Sequence, residues 1–404
     1  MLIQLAWRNV WRNKRRTVIT LSSIFFAVLL ALFMRSMQLG SYENMIRNSV
    51  EFYSGYIQIH KTGYWEDKSI NKMMVESDSL KATILNAPNV EFYIPRLESF
   101  VLAASDEISK GIVVVGTAPK KENRMTKLAD RVQEGSYFKS DTRGVMVAEG
   151  LANYLELGLG DTLVMIGQGY HGVNAVDQYP ITAILKFPNP QANDNMVYMP
   201  IELAREFNSA LGLSTALVLS VDDIDQIKNT KQHLISKLGS EYEVMDWTEM
   251  QPELVQLIQS DNAGGIIMLG ILYLVIAFGI FGTIMMMSME RNREFGVLVA
   301  VGMRRRKLSL LVTLETFIIG VLGLKVSLVA GILLLLYMHY HPIPLTGNAA
   351  EAMLKMGIEP IMPFSLDPMI FISQMLAILV IVLVCLAYPL TKIMNLKAIA
   401  ALKH

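Results

Sequence analysis

Four stretches of this chain are long and apolar enough that only a helix in a water-poor environment suits them. Asn262–Met289 runs for 28 residues without a charged side chain, and Pro368–Thr391 for 24. Thr17–Met34 is another 18, and Leu308–Met338 is interrupted only by Glu315 and Lys325. About 20 such residues cross the hydrocarbon of a bilayer. Inside it the backbone satisfies its own hydrogen bonds only as a helix or a closed barrel. A composition of 52% hydrophobic and 18% charged residues agrees. The predicted spans are 17–38, 263–289, 308–338 and 368–391.

The first span follows a basic segment and so resembles a signal peptide, but no Ala-x-Ala-like site precedes Arg35. A retained span is expected. Before it, residues 2–16 read as an amphipathic helix, with Ile3, Trp7, Val10 and Trp11 on one side and Gln4, Arg8, Arg12 and Arg15 beside them. Such a helix suits the headgroup level, and an ordinary basic flank of a span is the alternative. The glycines of the second span, with Met285–Met287, predict close packing against another helix.

Residues 39–262 have the character of a water-facing domain. Alternating stretches at Tyr56–His60, Ile112–Gly116, Thr162–Ile166, Ile181–Leu185, Ala216–Val221 and Tyr242–Met245 predict strands. Helices are expected at Glu76–Asn86, Gly150–Leu157, Ile201–Ala210 and Asp223–Leu238, and a polar loop at Asn189–Asn195. The fold class is thus a membrane protein, four helices with a large extracytoplasmic α+β domain between the first and second.

Orientation follows the lysines and arginines near the span ends. The N-terminal flank carries Arg8, Arg12, Lys14, Arg15 and Arg16, and the 290–307 hinge carries Arg291, Arg293, Arg304, Arg305, Arg306 and Lys307. The 392–404 tail adds Lys392, Lys397 and Lys403, while the 339–367 connection has only Lys355. Both termini and the hinge are expected in the cytoplasm, the large domain outside.

Motifs for chemistry are sparse. A net charge of +0 gives no basis for nucleic-acid binding. Cys385 stands alone in an apolar run, so no disulfide framework is predicted. His339 and His341 have the spacing of a possible metal pair but no carboxylate cluster beside them, and read as interfacial histidines. The sequence contains no G-x-x-x-x-G-K-[ST] phosphate loop, G-x-S-x-G or H-E-x-x-H, so no enzyme activity is predicted for the chain.

The hinge is the informative stretch. Glu290, Arg293 and Glu294 are spaced i, i+3, i+4, able to pair on one helical face. Phe295, Leu298, Val299 and Gly302 form an apolar stripe on a segment too short to span. A short cytoplasmic helix of this kind lies on lipid or docks into a groove of another protein, and the residues alone leave both open.

The run Glu290, Arg291, Arg293, Glu294, Phe295, Gly296, Val297, Leu298, Ala300, Val301, Gly302 resembles the coupling segment E-R-x-R-E-[FIV]-G-[VI]-L-x-A-[IV]-G. That segment belongs to the permease family that includes the lipoprotein-releasing LolC/LolE subunits, MacB and FtsX. Leu5-Ala6-Trp7-Arg8-Asn9, Arg12 and Arg15-Arg16-Thr17 resemble its lead-in, and Glu315 a frequent acidic residue early in its third span. Ser54–His60, Glu149–Ala152 and Leu157–Thr162 resemble its outer-domain stretches, most closely in the LolE-like branch.

The resemblance implies a four-span permease that pairs with a second copy or a sibling and with a separate cytoplasmic ATPase dimer holding ATP and Mg. It implies coupling residues Glu290, Arg291, Arg293, Glu294, Phe295, Gly296, Leu298 and Gly302. It also implies an outer domain of two lobes, porter-like and inserted, the insert near 119–213, and a location in the cell inner membrane. Mechanotransmission would drive lipoprotein release toward a periplasmic carrier. The alternatives are a MacB-like efflux permease working with an adaptor and an FtsX-like platform that activates a cell-wall hydrolase. Lys325 departs from the family pattern. It is expected either to face a cavity between two permeases or to be tucked between helices, since lysine at mid-span costs about 2.5–3.5 kcal/mol on insertion scales.

Overall fold

The computed structural model describes residues 2–12, 14–105, 108–187, 189–355 and 360–395. Lys397 and Lys403 of the basic tail lie outside these, as do the side chains of Arg16 and Lys355. The chain divides into two compact units. One comprises Met1–Glu43, Leu257–Pro344 and Met362–His404, the other Asn44–Gln256 and Leu345–Ile361.

Four long helices dominate the first unit: S1 (Lys14–Ser49), S2 (Pro252–Glu290), S3 (Arg305–Tyr340) and S4 (Pro368–Cys385), the last continued by Ala387–Met394. S1 runs past residue 38 and S2 begins before 263, because polar residues flanking the apolar runs pair instead of ending the helices. Arg35 donates to Gln38 Oε1 at 2.8 Å and Asn262 Oδ1 at 2.9 Å, and Tyr42 Oη donates to Asp261 Oδ2 at 2.6 Å. S4 starts as its sequence suggests, with Pro368 in the first turn and the Asp367 side chain accepting from the Met369 amide at 2.8 Å.

Tight packing lies on S3 and, on S2, at Gly265, where a Cβ would overlap the Gln38 side chain of S1. Gly323, Ser327 and Gly331 repeat every four residues, and all three are buried. A Cβ on Gly323 would sit 2.9 Å from the Ile24 side chain, and one on Gly331 2.7 Å from that of Leu32, so these small residues let S1 approach. Gly264, Gly270, Gly279 and Gly282 of S2 face open space. S2 instead exposes an apolar face that includes Ile267, Val275 and Phe278. On the N-terminal helix Leu2–Arg12, Ala6 and Val10 turn inward while Trp7 and Trp11 are exposed, as an interfacial helix requires. His339 and His341 diverge: one ring contacts the Phe364 carbonyl, the other that of Tyr337.

The second unit contains β1 (Ile57–Lys61), β2 (Met74–Val75), β3 (Val90–Ala104), β4 (Ser109–Thr117), β5 (Val132–Gly135) and β6 (Val145–Ala148). These are followed by β7 (Thr162–Gln168), β8 (Asn174–Leu185), β9 (Met196–Pro200), β10 (Leu213–Ser214), β11 (Ala216–Val221) and β12 (Tyr242–Asp246). The antiparallel order β12-β1-β11-β3, with Asp78–Leu85 joining β1 to β3 and Ile227–Leu238 joining β11 to β12, is the split βαβ or ferredoxin-like arrangement. Ile57, Ile59, Leu80, Ile84, Leu219 and Leu234 form its core.

Between β3 and β11 the chain makes a long excursion that returns on itself. β3 pairs with β4, β4 with β9, β9 with β6, β6 with β8, β8 with β7, and β7 with β3 again. The ladder is therefore a closed ring of six strands, and its closure leaves no free edge within the ring. β3 serves both parts: residues 90–96 pair with β11 and 101–104 with β7. The excursion thus begins on β3 itself, upstream of residue 119. A second core, including Leu97, Val101, Val147, Leu163 and Met165, belongs to this part. Asn189–Asn195, expected as a loop, is a short helix at Pro190–Asn195, capped by Asn189 accepting from the Gln191 amide at 2.8 Å.

Candidate functional site

S2 ends at Glu290, and Arg291 breaks the helix with φ −94° and ψ 3°. A second helix then runs Asn292–Ala300. It stops at Gly302, whose φ of +105° is a conformation that side-chain-bearing residues rarely adopt. The Gly302 and Met303 amides cap the turn by donating to the carbonyls of Val299 and Leu298, both at 3.0 Å. The chain re-enters S3 at Arg305.

The stripe on this short helix faces its own chain. Phe295 is 2% exposed and packs with Leu308, Leu311 and Val312 of S3, with Ala6 and with Ile393, while Leu298 and Val299 flank the cluster. Burying a phenylalanine is worth about 1.5–3 kcal/mol, enough to hold the helix down. Gly296 is buried beside it. Phe295, the centre of the stripe, is therefore taken up by its own chain, with Leu298 and Val299 half-buried and Gly302 exposed. Arg293, Glu294, Val297, Ala300, Val301 and Arg304 make up the exposed side, with Val301 83% exposed.

Polar residues tie the same elements together. Glu315, 2% exposed, accepts from Asn9 Nδ2 at 2.6 Å and from Arg291, whose Nη2 lies 3.3 Å from Oε1 and whose Nη1 contacts Oε2. Arg291 Nε donates to Glu294 Oε2 at 3.2 Å, and Glu294 Oε1 accepts from Arg12 Nη2 at 2.6 Å. The circuit Asn9–Glu315–Arg291–Glu294–Arg12 links the N-terminal helix, the hinge helix and S3. S2 stops at Glu290, and the hinge helix that carries Arg293 and Glu294 starts at Asn292. Glu294 pairs with Arg291 and Arg12, and Arg293 is exposed. Burying a charged side chain costs several kcal/mol of solvation, and the contacts of Glu315 with Arg291 and Asn9 offset part of that cost.

Sequence reasoning singled out Glu315 and Arg291 without joining them, and placed Asn9 and Arg12 in the basic lead-in without linking them to the hinge. Their spacing of i, i+3 in the last turn of the helix Leu2–Arg12 was the available signal. Lys325 stands exposed on S3 among exposed Val326, Val329 and Leu333. It is not tucked between helices of its own chain.

Four apolar helices, a hinge locked by a buried ion pair and an α+β unit describe an integral membrane protein. Residues 17–236 match the MacB-like periplasmic core domain, and residues 266–398 match the FtsX-like permease C-terminal domain. The chain belongs to the MacB/FtsX-like family of ABC transporter permeases.

An uncharacterized ABC transporter permease of Methanocaldococcus jannaschii is 23% identical over 212 residues, 50% of this chain and 51% of that protein. The chain thus spans about half the length of this curated relative. Among solved structures, the extracellular domain of the noncanonic ABC-type transporter YknZ from Gram-positive bacteria aligns with 48% of this chain and 100% of its own, at 16% identity and a TM-score of 0.34. The periplasmic region of MacB from Actinobacillus actinomycetemcomitans aligns with 52% of this chain and 95% of its own, at 12% identity and a TM-score of 0.37.

Proposed function

We propose that this chain is a permease subunit that couples ATP hydrolysis in a separate cytoplasmic ATPase dimer, which holds ATP and Mg, to mechanical work on the far side of the inner membrane. The observation that carries this reading is the Glu315–Arg291–Glu294–Arg12 circuit. It fixes the hinge helix to S3 and the N-terminal helix, so a push on the exposed side, at Arg293, Val297 and Val301, moves a span instead of bending a loop. A second permease, identical or a sibling, would cover the apolar face of S2, and the six-stranded ring would be the inserted lobe beside a porter-like one.

The cargo we propose is a lipoprotein handed to a periplasmic carrier. Support comes from the resemblance of Ser54–His60, Glu149–Ala152 and Leu157–Thr162 to the LolE-like branch. The match of residues 17–236 to the MacB-like core domain favours a second reading, efflux of a drug, peptide or toxin through an adaptor. Reconstitution of the full chain with its ATPase in lipid vesicles separates them. ATP-dependent transfer of a membrane-anchored lipoprotein to a soluble acceptor supports the first. Coupled ATP hydrolysis with the lipoprotein retained in the vesicle removes it and leaves efflux.

A further inference from the structure

Lys325 sits at mid-membrane depth on the outside of its own bundle. Gly323 of S3 packs on Ile24 of S1, and Gly331 on Leu32, so the two helices run parallel and in step. Lys325 is thereby level with Phe26, in the middle of the uncharged run Thr17–Met34 and about 12–14 Å from either end of it. A lysine near the end of a span lifts its charged head to the lipid headgroups along its own methylenes. From the middle of a span the side chain falls short of both surfaces. Lys325 is exposed, and no hydrogen bond or ion pair joins it to another described residue.

The residues that follow it form a seam. Lys325, Val329, Ile332 and Leu336 are spaced i, i+4, i+7 and i+11, the spacing with which one helix meets another, and all four are exposed. S1 occupies the other side of S3, at Gly323 and Gly331. A lysine left in hydrocarbon costs about 2.5–3.5 kcal/mol, and a carboxylate across the seam removes that cost. A second copy of this chain offers none at this depth. Within residues 17–38, 263–289, 308–338 and 368–391 the only acidic residue is Glu315. It stands ten residues nearer the hinge, about 15 Å along S3, and Arg291 and Asn9 already engage it. Two copies seated on this seam would bring their lysines to the same depth.

We propose that this face of S3 docks a different membrane protein, through a spanning helix that carries one aspartate or glutamate near its middle. That carboxylate meets Lys325, and apolar side chains on the following turns pack against Val329, Ile332 and Leu336. The inference requires that S3 cross the membrane. It is independent of the cargo and of coupling to an ATPase.

The test places the photoreactive residue p-benzoylphenylalanine at Val329, one turn from Lys325 and 60% exposed, in the full chain in its native membrane. Illumination should give one discrete adduct with a second protein, and mass spectrometry should find an acidic residue near the middle of one of that protein's spans. Lys325→Leu should lower the yield about tenfold, the scale of one polar contact between spanning helices, while Lys325→Arg retains it. Lys325→Asp should abolish the adduct, and a lysine in place of the partner's acidic residue should restore it. The same probe at Leu333 serves if the Val329 variant fails to fold. No protein adduct, adducts with lipid alone or with a second copy of this chain, or a yield indifferent to Lys325→Leu would overturn the proposal. So would a partner whose spans hold no acidic residue.

Discussion

His60 shows how one side chain can set the pH response of a whole unit. It is 1% exposed, its Nδ1 lies 3.0 Å from the Thr215 carbonyl, and its ring stacks on Tyr64. Burial, aided by Lys68 and only partly opposed by the hydrogen bond to Thr215, lowers its pKa from 6.5 to about 4. The unfolded chain therefore takes up the proton first. The stability tied to neutral His60 is fully present above pH 6.5 and is lost as the pH falls toward 4, at up to ~1.4 kcal/mol per pH unit. Denaturant unfolding followed by tryptophan emission should show this slope, and His60→Asn, which keeps a donor for Thr215, should flatten it. An unchanged slope in the variant would assign the acid sensitivity elsewhere. Arg96 is the opposite case. Burial works against its charge, but Glu122, bonded at 2.6 and 3.0 Å, more than compensates and holds it firmly protonated. Neither residue stood out in the sequence, where a lone histidine in an alternating strand and an arginine after Pro95 look like surface residues.

Between elements, the interaction of most consequence is Arg291 with Glu315, whose side chains are 11% and 3% exposed. Removing one partner strands the other, a loss of about 3–5 kcal/mol for a buried pair. Arg291→Gln and Glu315→Gln should each lower the unfolding temperature of the detergent-solubilised chain. Together they should lose less than the sum of the two, by about 1–3 kcal/mol. Strictly additive losses would show that the two side chains do not act as a unit. The existence of a short hinge helix was legible from the apolar spacing of Phe295, Leu298 and Val299. Its facing was not, because periodicity shows that a stripe will be buried without showing against what. The helix break at Arg291 was likewise hidden, since it depends on partners 24 residues away on S3 and, through Glu294, 282 residues away at Arg12.

At the scale of the molecule, the apolar runs announced four helices because lipid leaves the backbone few choices. The strand Ala216–Val221 was readable from its β-branched alternation, whereas β3, fifteen residues long and containing Pro95, was not. The closed ring could not be read locally at all. Its β3–β4 and β7–β8 pairings are hairpins, but the pairings that close it join segments distant in sequence, and β3 changes partner along its length.

The proposed coupling depends on the hinge and the α+β unit lying on opposite sides of the membrane. Cysteine accessibility in a Cys385→Ala background measures this directly, with Val301→Cys reporting on the hinge and Tyr154→Cys, at a site 52% exposed, on the second unit. With a membrane-impermeant maleimide on spheroplasts, we predict that the Tyr154→Cys variant is labelled at once and the Val301→Cys variant only after the membrane is opened. Labelling of the Val301→Cys variant from outside the intact membrane would put the hinge beyond the reach of any cytoplasmic ATPase and contradict the account.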